Sequence, residues 1–163
     1  MKTRKAQTEL TKISNFNELE HEFIALIHAS ERAVATAYAP NSGFSVGASV
    51  LLADGHIVIG SNQENMAYPS GLCAERVAVF AASAQYPAHL IKAVAICCDA
   101  SAYNAKTDAV FTPCGACRQV LFEYEWRQKQ DIQLFFKVRY QDEVWQAENI
   151  QALLPFPFIL PEK

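Results

Sequence analysis

"GLCAERVAVFAASAQYPAHLIKAVAICC", residues 71–98, is the stretch on which the reading of the fold turns. Up to Pro87, which stops it, the segment reads as a helix that is apolar on nearly every side, and such a helix belongs in a core. Yet Cys73, Glu75 and Arg76 crowd its opening turn, where charge is costly unless paired. The last eight residues, "IKAVAICC", are a short apolar run of the kind that makes a buried strand. Helix followed by buried strand predicts a layered α/β arrangement, and the flanking sequence extends it in both directions.

Upstream, "FSVGASVLLADGHIVIGSN" holds two β-rich runs joined by Asp54-Gly55, the signal for a two-residue hairpin turn. Before it, Phe16, Leu19, Phe23, Leu26, Ala33 and Ala37 fall on one helical stripe. Asn15 with Glu18 opens that helix as a capping box, and Pro40 follows its end. Downstream, "PCGACRQVLFEYEW" reads as a second buried helix with Pro113 at its start, and "IQLFFKVRY" and "EVWQA" as strands. The tail "ENIQALLPFPFILP" starts as a short helix and is broken by prolines. The expectation is a three-layer α/β/α domain with a mixed sheet of about five strands, spanning residues 15–163, preceded by a polar extension over 1–14 with little part in the fold.

Composition agrees. The chain has 163 residues, 51% hydrophobic and 19% charged, which suits one globular core. A net charge of −3 gives no general attraction for phosphate backbones, so no nucleic-acid partner is expected. The polar start and the lack of an apolar run of about 18 residues predict a cytoplasmic protein without membrane contact. Five cysteines, an odd number, argue for reduced thiols and metal ligation over a disulfide framework.

Cys114 and Cys117 form a CxxC on a helical first turn, where residues three apart share a face and both sulfurs can hold one ion. Cys73, at the start of the other buried helix, supplies a third. Both helix N-termini favour thiolates there. Three thiolates on Zn²⁺ leave a fourth position open, the mark of a catalytic centre. Glu75 suits a proton-accepting role beside it, and Arg76 is placed to hydrogen-bond Cys114 or Cys117 and offset thiolate charge. A redox CxxC would leave Cys73, Glu75 and Arg76 unexplained. Cys97 and Cys98, in the apolar strand, read as packing residues. His21, His28, His56 and His89 lack ligand spacing among themselves.

"CAE" followed by "PCGACRQVL" resembles the cytidine deaminase superfamily, zinc enzymes that remove an amino group from a nucleobase. "AYAPNSGFSVGASVLLADGHIVIGSNQENMAYPSGLCAER" is similar to the matching block of the small homotetrameric type, and "LLPFPF" to its closing LLPxxF. The resemblance implies one Zn²⁺ per subunit on Cys73, Cys114 and Cys117, with Glu75 as the base that moves protons from water to N3 and to the departing ammonia. It implies that Phe44 packs on the pyrimidine, that Asn62 and Glu64 bind ribose hydroxyls, and that the Ala74 carbonyl accepts from the exocyclic amine. On their own, Asn62 and Glu64 would read as a turn residue and a solvated charge. Phe158 is the implied ring contributed to a neighbouring subunit of a homotetramer. The implied reaction converts cytidine and deoxycytidine to uridine and deoxyuridine in pyrimidine salvage. Alternatives are a deaminase of another aminated pyrimidine nucleoside, of the blasticidin S kind, and a catalytically silent zinc module, which would need a fourth protein ligand. Asn41 stands where the family usually has Tyr, and Ile159 where Gly is common.

Overall fold

Strands β2 (Val46–Leu52) and β3 (Ile57–Ser61) pair antiparallel, Ser49 opposite Ile59 and Leu51 opposite Ile57. Their turn is longer than the Asp-Gly pair predicts. Leu52 N–H donates to His56 O at 2.9 Å and Gly55 N–H to Leu52 O at 3.0 Å, which closes a loop over residues 53–55. Gly55 sits at φ 92°, the left-handed position that completes a three-residue hairpin loop. The structure, a computed structural model, describes residues 8–99 and 110–160.

Every residue of β2 is buried, because it lies within the sheet with helices over both faces. Its other neighbour is β4 (Ile91–Cys98), antiparallel with Val50 opposite Val94. β4 in turn pairs parallel with β5 (Gln133–Val138), Ala95 opposite Phe135. A parallel pair needs a long crossover, and the chain between the two strands carries one of the helices. β6 (Val144–Ala147) follows antiparallel to β5, and β1 (Thr11–Ile13) closes the far edge on β6. The order is β1-β6-β5-β4-β2-β3, a mixed sheet of six strands where the sequence predicts about five.

The sixth strand corrects the reading of residues 1–14. Residues 1–7 lie outside those described, but Thr11–Ile13 are part of the sheet: Lys12 pairs with Glu143 at 2.8 Å and Ile13 packs on the core. Three residues are too few to show a strand period, which is why the segment reads as plain polar chain.

Helix α1 (His21–Ala33) covers one face, burying Phe23, Leu26 and Ile27 against Leu51, Ala93, Ala95 and Phe135. It starts later than the capping-box pattern suggests. Asn15 caps a 3-10 turn at Phe16–Glu18, its Oδ1 accepting from Asn17 N–H at 3.1 Å, and Leu19 is extended before α1 begins. A second 3-10 turn, Val34–Thr36, ends the segment. Helices α2 (Ala74–Gln85) and α3 (Gly115–Gln128) cover the other face, with Ala78, Val79, Leu121 and Phe122 on Val50, Val94, Ile96 and Phe136. Successive β4 residues thus serve opposite layers, as strand geometry requires. Two glycines let the layers close. A Cβ at Gly47 would lie 2.2 Å from Ser30 O in α1, and one at Gly60 would lie 2.4 Å from Ala78 N in α2. Among the described residues no helix is long and apolar enough to cross a membrane.

Candidate active site

The N-termini of α2 and α3 meet at one end of the sheet, and each is capped by a cysteine, Cys73 and Cys114, held in extended backbone. Cys117, one turn into α3 and fully buried, completes a set of three sulfurs that all lie within 4.8 Å of one another. Cys73 Sγ and Cys114 Sγ are 3.8 Å apart. That is the spacing of about 3.8 Å that a tetrahedral ion with Zn–S bonds of about 2.3 Å imposes. Among the described residues this is the one group of three or more His, Cys, Asp or Glu with metal-ligand spacing. The donor set therefore fits a soft cation, and with three protein ligands it leaves one coordination position free.

The charges follow from this packing. Cys73 is drawn down to about 5, chiefly by the hydrogen bond it shares with Cys117, with Arg76 and Cys114 adding to it. Cys117 moves up, because it keeps the proton of that pair. Glu75, 4% exposed, is pushed up to about 7 by burial, and the negative charge on Cys73 adds to the rise. Such a carboxyl can both hold and release a proton near neutrality. Arg76 engages Cys117, one of the two partners expected, and Cys73 as well. Its Nη2 donates to Cys73 Sγ at 3.8 Å and to Gly71 O at 3.5 Å, three helical positions bringing it beside Cys73, and the guanidinium also hydrogen-bonds the Cys117 sulfur on α3. Cys97 and Cys98 lie apart in β4, fully buried, and burial raises both to about 12, so packing is what they do.

From the thiols a cavity of about 620 Å³ runs toward the end of β3, a size that suits a small organic ligand. Glu75, Ala74, Cys73 and Cys114 line it near the thiols, together with the apolar Phe44, Val46 and Leu72. Phe44 meets Phe111 edge-on, ring centres 5.9 Å apart at 68°. Asn41, Asn62, Glu64 and Asn65 line the polar end. Asn62 and Glu64 have structural partners here. Asn62 Oδ1 accepts from Val46 N–H at 2.8 Å and its Nδ2 donates to Phe44 O at 2.9 Å, which leaves one amide hydrogen and one lone pair for a ligand. Glu64 Oε2 accepts from the Asn41 and Ser42 amides at 2.7 and 3.3 Å, and Oε1 from the Ser42 hydroxyl, which foremost holds the carboxylate below its usual range.

Phe158 does not line this cavity. It is 70% exposed on the tail, where its backbone pairs twice with the Gln119 side chain, at 3.0 and 2.9 Å. Two histidines the sequence leaves unrelated, His56 and His89, share Asp54 Oδ2 at 2.9 and 2.8 Å, at the hairpin turn.

Two residues of the site escape a reading of the sequence. Phe111 faces Phe44 from the loop before Pro113. Arg118 donates to Pro113 O at 2.7 Å, Thr112 Oγ1 at 2.9 Å and Leu153 O at 3.0 Å, and so fixes the approach to Cys114. Backbone carbonyls carry no sequence signal, so only the adjacency of Arg118 to Cys117 could have pointed to it.

Three thiols within reach of one ion, a buried carboxyl beside them and a largely apolar cavity in front are groups of the kind a metal-dependent hydrolase uses. Comparison with known proteins makes the class specific. The family described as "Cytidine and deoxycytidylate deaminase zinc-binding region" matches residues 21–130, and the chain belongs to it. The cytidine deaminase of Sporosarcina psychrophila is 43% identical over 99 residues, 61% of this chain and 67% of that protein. That of Halalkalibacterium halodurans is 40% identical over 98 residues, 60% and 68% of the two chains. The crystal structure of cytidine deaminase from Burkholderia pseudomallei superposes with a TM-score of 0.69 at 34% identity, over 86% of this chain and all of the other.

Proposed function

We propose that the protein hydrolyses the exocyclic C–N bond of cytidine and deoxycytidine, giving uridine or deoxyuridine and ammonia, as a cytoplasmic homotetramer of pyrimidine salvage with one Zn²⁺ per subunit. The observation that carries this reading is the convergence of Cys73, Cys114 and Cys117 beside buried Glu75, which lines the cavity. Membership of the family, and relatives that are cytidine deaminases, support it.

Cys73, Cys114 and Cys117 would hold the ion, which when bound supplies Lewis-acid activation of water. Arg76 offsets part of the thiolate charge through Cys73. The Phe44 ring packs on the pyrimidine and, with Val46 and Leu72, keeps bulk water from it. Asn62 and Glu64 take the sugar hydroxyls with their remaining hydrogen-bonding capacity. Glu75 takes a proton from water as the water oxygen bonds to C4 and passes it to N3, then takes the remaining hydroxyl proton and carries it to the amine nitrogen as the C4–N bond breaks and the C4 carbonyl forms. The Ala74 carbonyl accepts from that amine and orients it. Phe158, exposed on the tail, would reach the site of a neighbouring subunit.

Purified protein should release ammonia from cytidine and deoxycytidine faster than from cytosine or a cytidine-containing oligonucleotide, and should contain one zinc per chain. Glu75→Gln should keep the metal and lose the activity. A faster reaction on the oligonucleotide overturns the salvage reading, and equal activity in both proteins removes Glu75 from the chemistry.

A further inference from the structure

The polar end of the cavity is wired to the ring at its centre, and Ser42 stands at the junction. Its hydroxyl donates to Glu64 Oε1 and accepts the Phe44 N–H at 3.0 Å. On the other side of the same residue, Asn62 Nδ2 donates to Phe44 O and Asn62 Oδ1 accepts from Val46 N–H. Phe44 is therefore gripped at both its N–H and its C=O by one short segment, residues 62–64: directly by Asn62, and through Ser42 by Glu64. Gly43, at φ 66° with its N–H on Ala39 O at 3.0 Å, allows the tight turn that brings Ser42 back beneath Phe44. The Phe44 ring lines the cavity and abuts Phe111.

We propose that Ser42 is a positioning residue that couples recognition of a sugar hydroxyl at Glu64 to the placement of Phe44 against the pyrimidine, so that the site favours a pyrimidine carrying a hydroxylated pentose over the free base. The inference rests on the nucleoside reading above. The position needs a group that donates to a carboxylate and accepts from an amide at once, and a hydroxyl does both. A ligand hydroxyl that donates to Glu64 binds the carboxylate that holds Ser42, so any shift of Glu64 toward the sugar is passed to the backbone of Phe44. A free pyrimidine gains the ring contact but nothing from this relay.

The test uses the full-length, zinc-loaded protein with Ser42→Ala, Ser42→Thr, Glu64→Gln and the Ser42→Ala/Glu64→Gln double variant. Two readouts are taken: kcat and KM for cytidine and cytosine, and calorimetric Kd for uridine and uracil. Ser42→Ala should raise KM for cytidine and Kd for uridine about tenfold, the loss of one charge-assisted hydrogen bond, with kcat and the free-base constants changing less than about twofold. Ser42→Thr should recover most of the loss. The double variant should be no worse than Glu64→Gln alone, because the relay is already cut. A nucleoside preference that survives Ser42→Ala, equal losses for nucleoside and base, or full additivity with Glu64→Gln overturns the relay alone. Wild-type protein that binds uridine no tighter than uracil overturns the nucleoside reading as well.

Discussion

Glu75 and Glu125 are almost equally buried, 4% and 5% exposed, on the two helices that cover the same face of the sheet. Burial raises the pKa of both. Their partners set them apart. Glu125 Oε2 accepts from the backbone N–H of Ile132 and of Ile150, each at 3.0 Å, and so ties the residue before β5 and the 3-10 turn Ile150–Ala152 to α3. Glu75 lines the cavity, with its own N–H and the Cys117 thiol for company. Burial alone does not mark a functional carboxyl. A carboxyl whose acceptor sites are filled by main-chain amides is a brace, whereas one left facing a cavity beside metal-type ligands keeps a proton it can move.

Exchanging the two kinds of damage tests that distinction. Glu75→Gln should cut kcat by about 10²–10⁴, the usual value of a positioned acid–base group, and leave the urea midpoint close to wild type. Glu125→Ala should do the reverse. Two buried N–H groups lose their acceptor at about 1–3 kcal/mol each, so a loss of about 2–6 kcal/mol in unfolding free energy is expected, with kcat/KM per folded site unchanged. A Glu125→Ala protein that stays folded but loses its rate would break the comparison. So would a Glu75→Gln protein that unfolds as readily as Glu125→Ala.

The same contrast explains what could be read from the sequence. Cys73, Glu75, Cys114 and Cys117 stand at helix starts with short spacings, so side-chain chemistry and helix geometry together announce them, and the buried runs of α2, β4 and α3 announce the layers. Glu125 looks like one more charge on an amphipathic helix, because its partners are main-chain amides far along the chain. Ser42 and Arg118 are silent too, because a hydroxyl shared between the Glu64 carboxylate and the Phe44 N–H, and a guanidinium spread over the Pro113 and Leu153 carbonyls, leave no pattern in the sequence. β1 is too short to show a period, the 3-10 turn before α1 borrows a helix-cap pattern, and Gly47 and Gly60 matter only through the elements that cross them. Asn62 alone reads as a turn residue and Glu64 as a solvated charge, and in the fold both brace the loop that frames the cavity.

A finer test asks whether Glu125 is a brace because it is charged or although it is charged. Its pKa is raised above the ordinary 4.5, because burial outweighs the two amide bonds and the nearby Asp131 adds to the rise. The folded protein therefore holds this proton at pH values where the unfolded chain has released it. The stability this contributes is complete below the unfolded value and is lost as pH rises through the folded one. Glu125→Gln can turn its carbonyl oxygen to Ile132 and Ile150 and keep both bonds, with nothing to ionise. Unfolding free energies of the two proteins, measured by urea between about pH 4 and 8, should diverge in favour of the variant as pH rises. Groups at the thiol site titrate alike in both and cancel in the difference. Asp131→Asn should reduce the divergence by removing the neighbouring charge. A gap that moves in favour of the wild type as pH rises would mean that the amides stabilise the anion by more than burial penalises it, and Glu125 would then be a standing charge, unlike Glu75 in protonation as well as in partners.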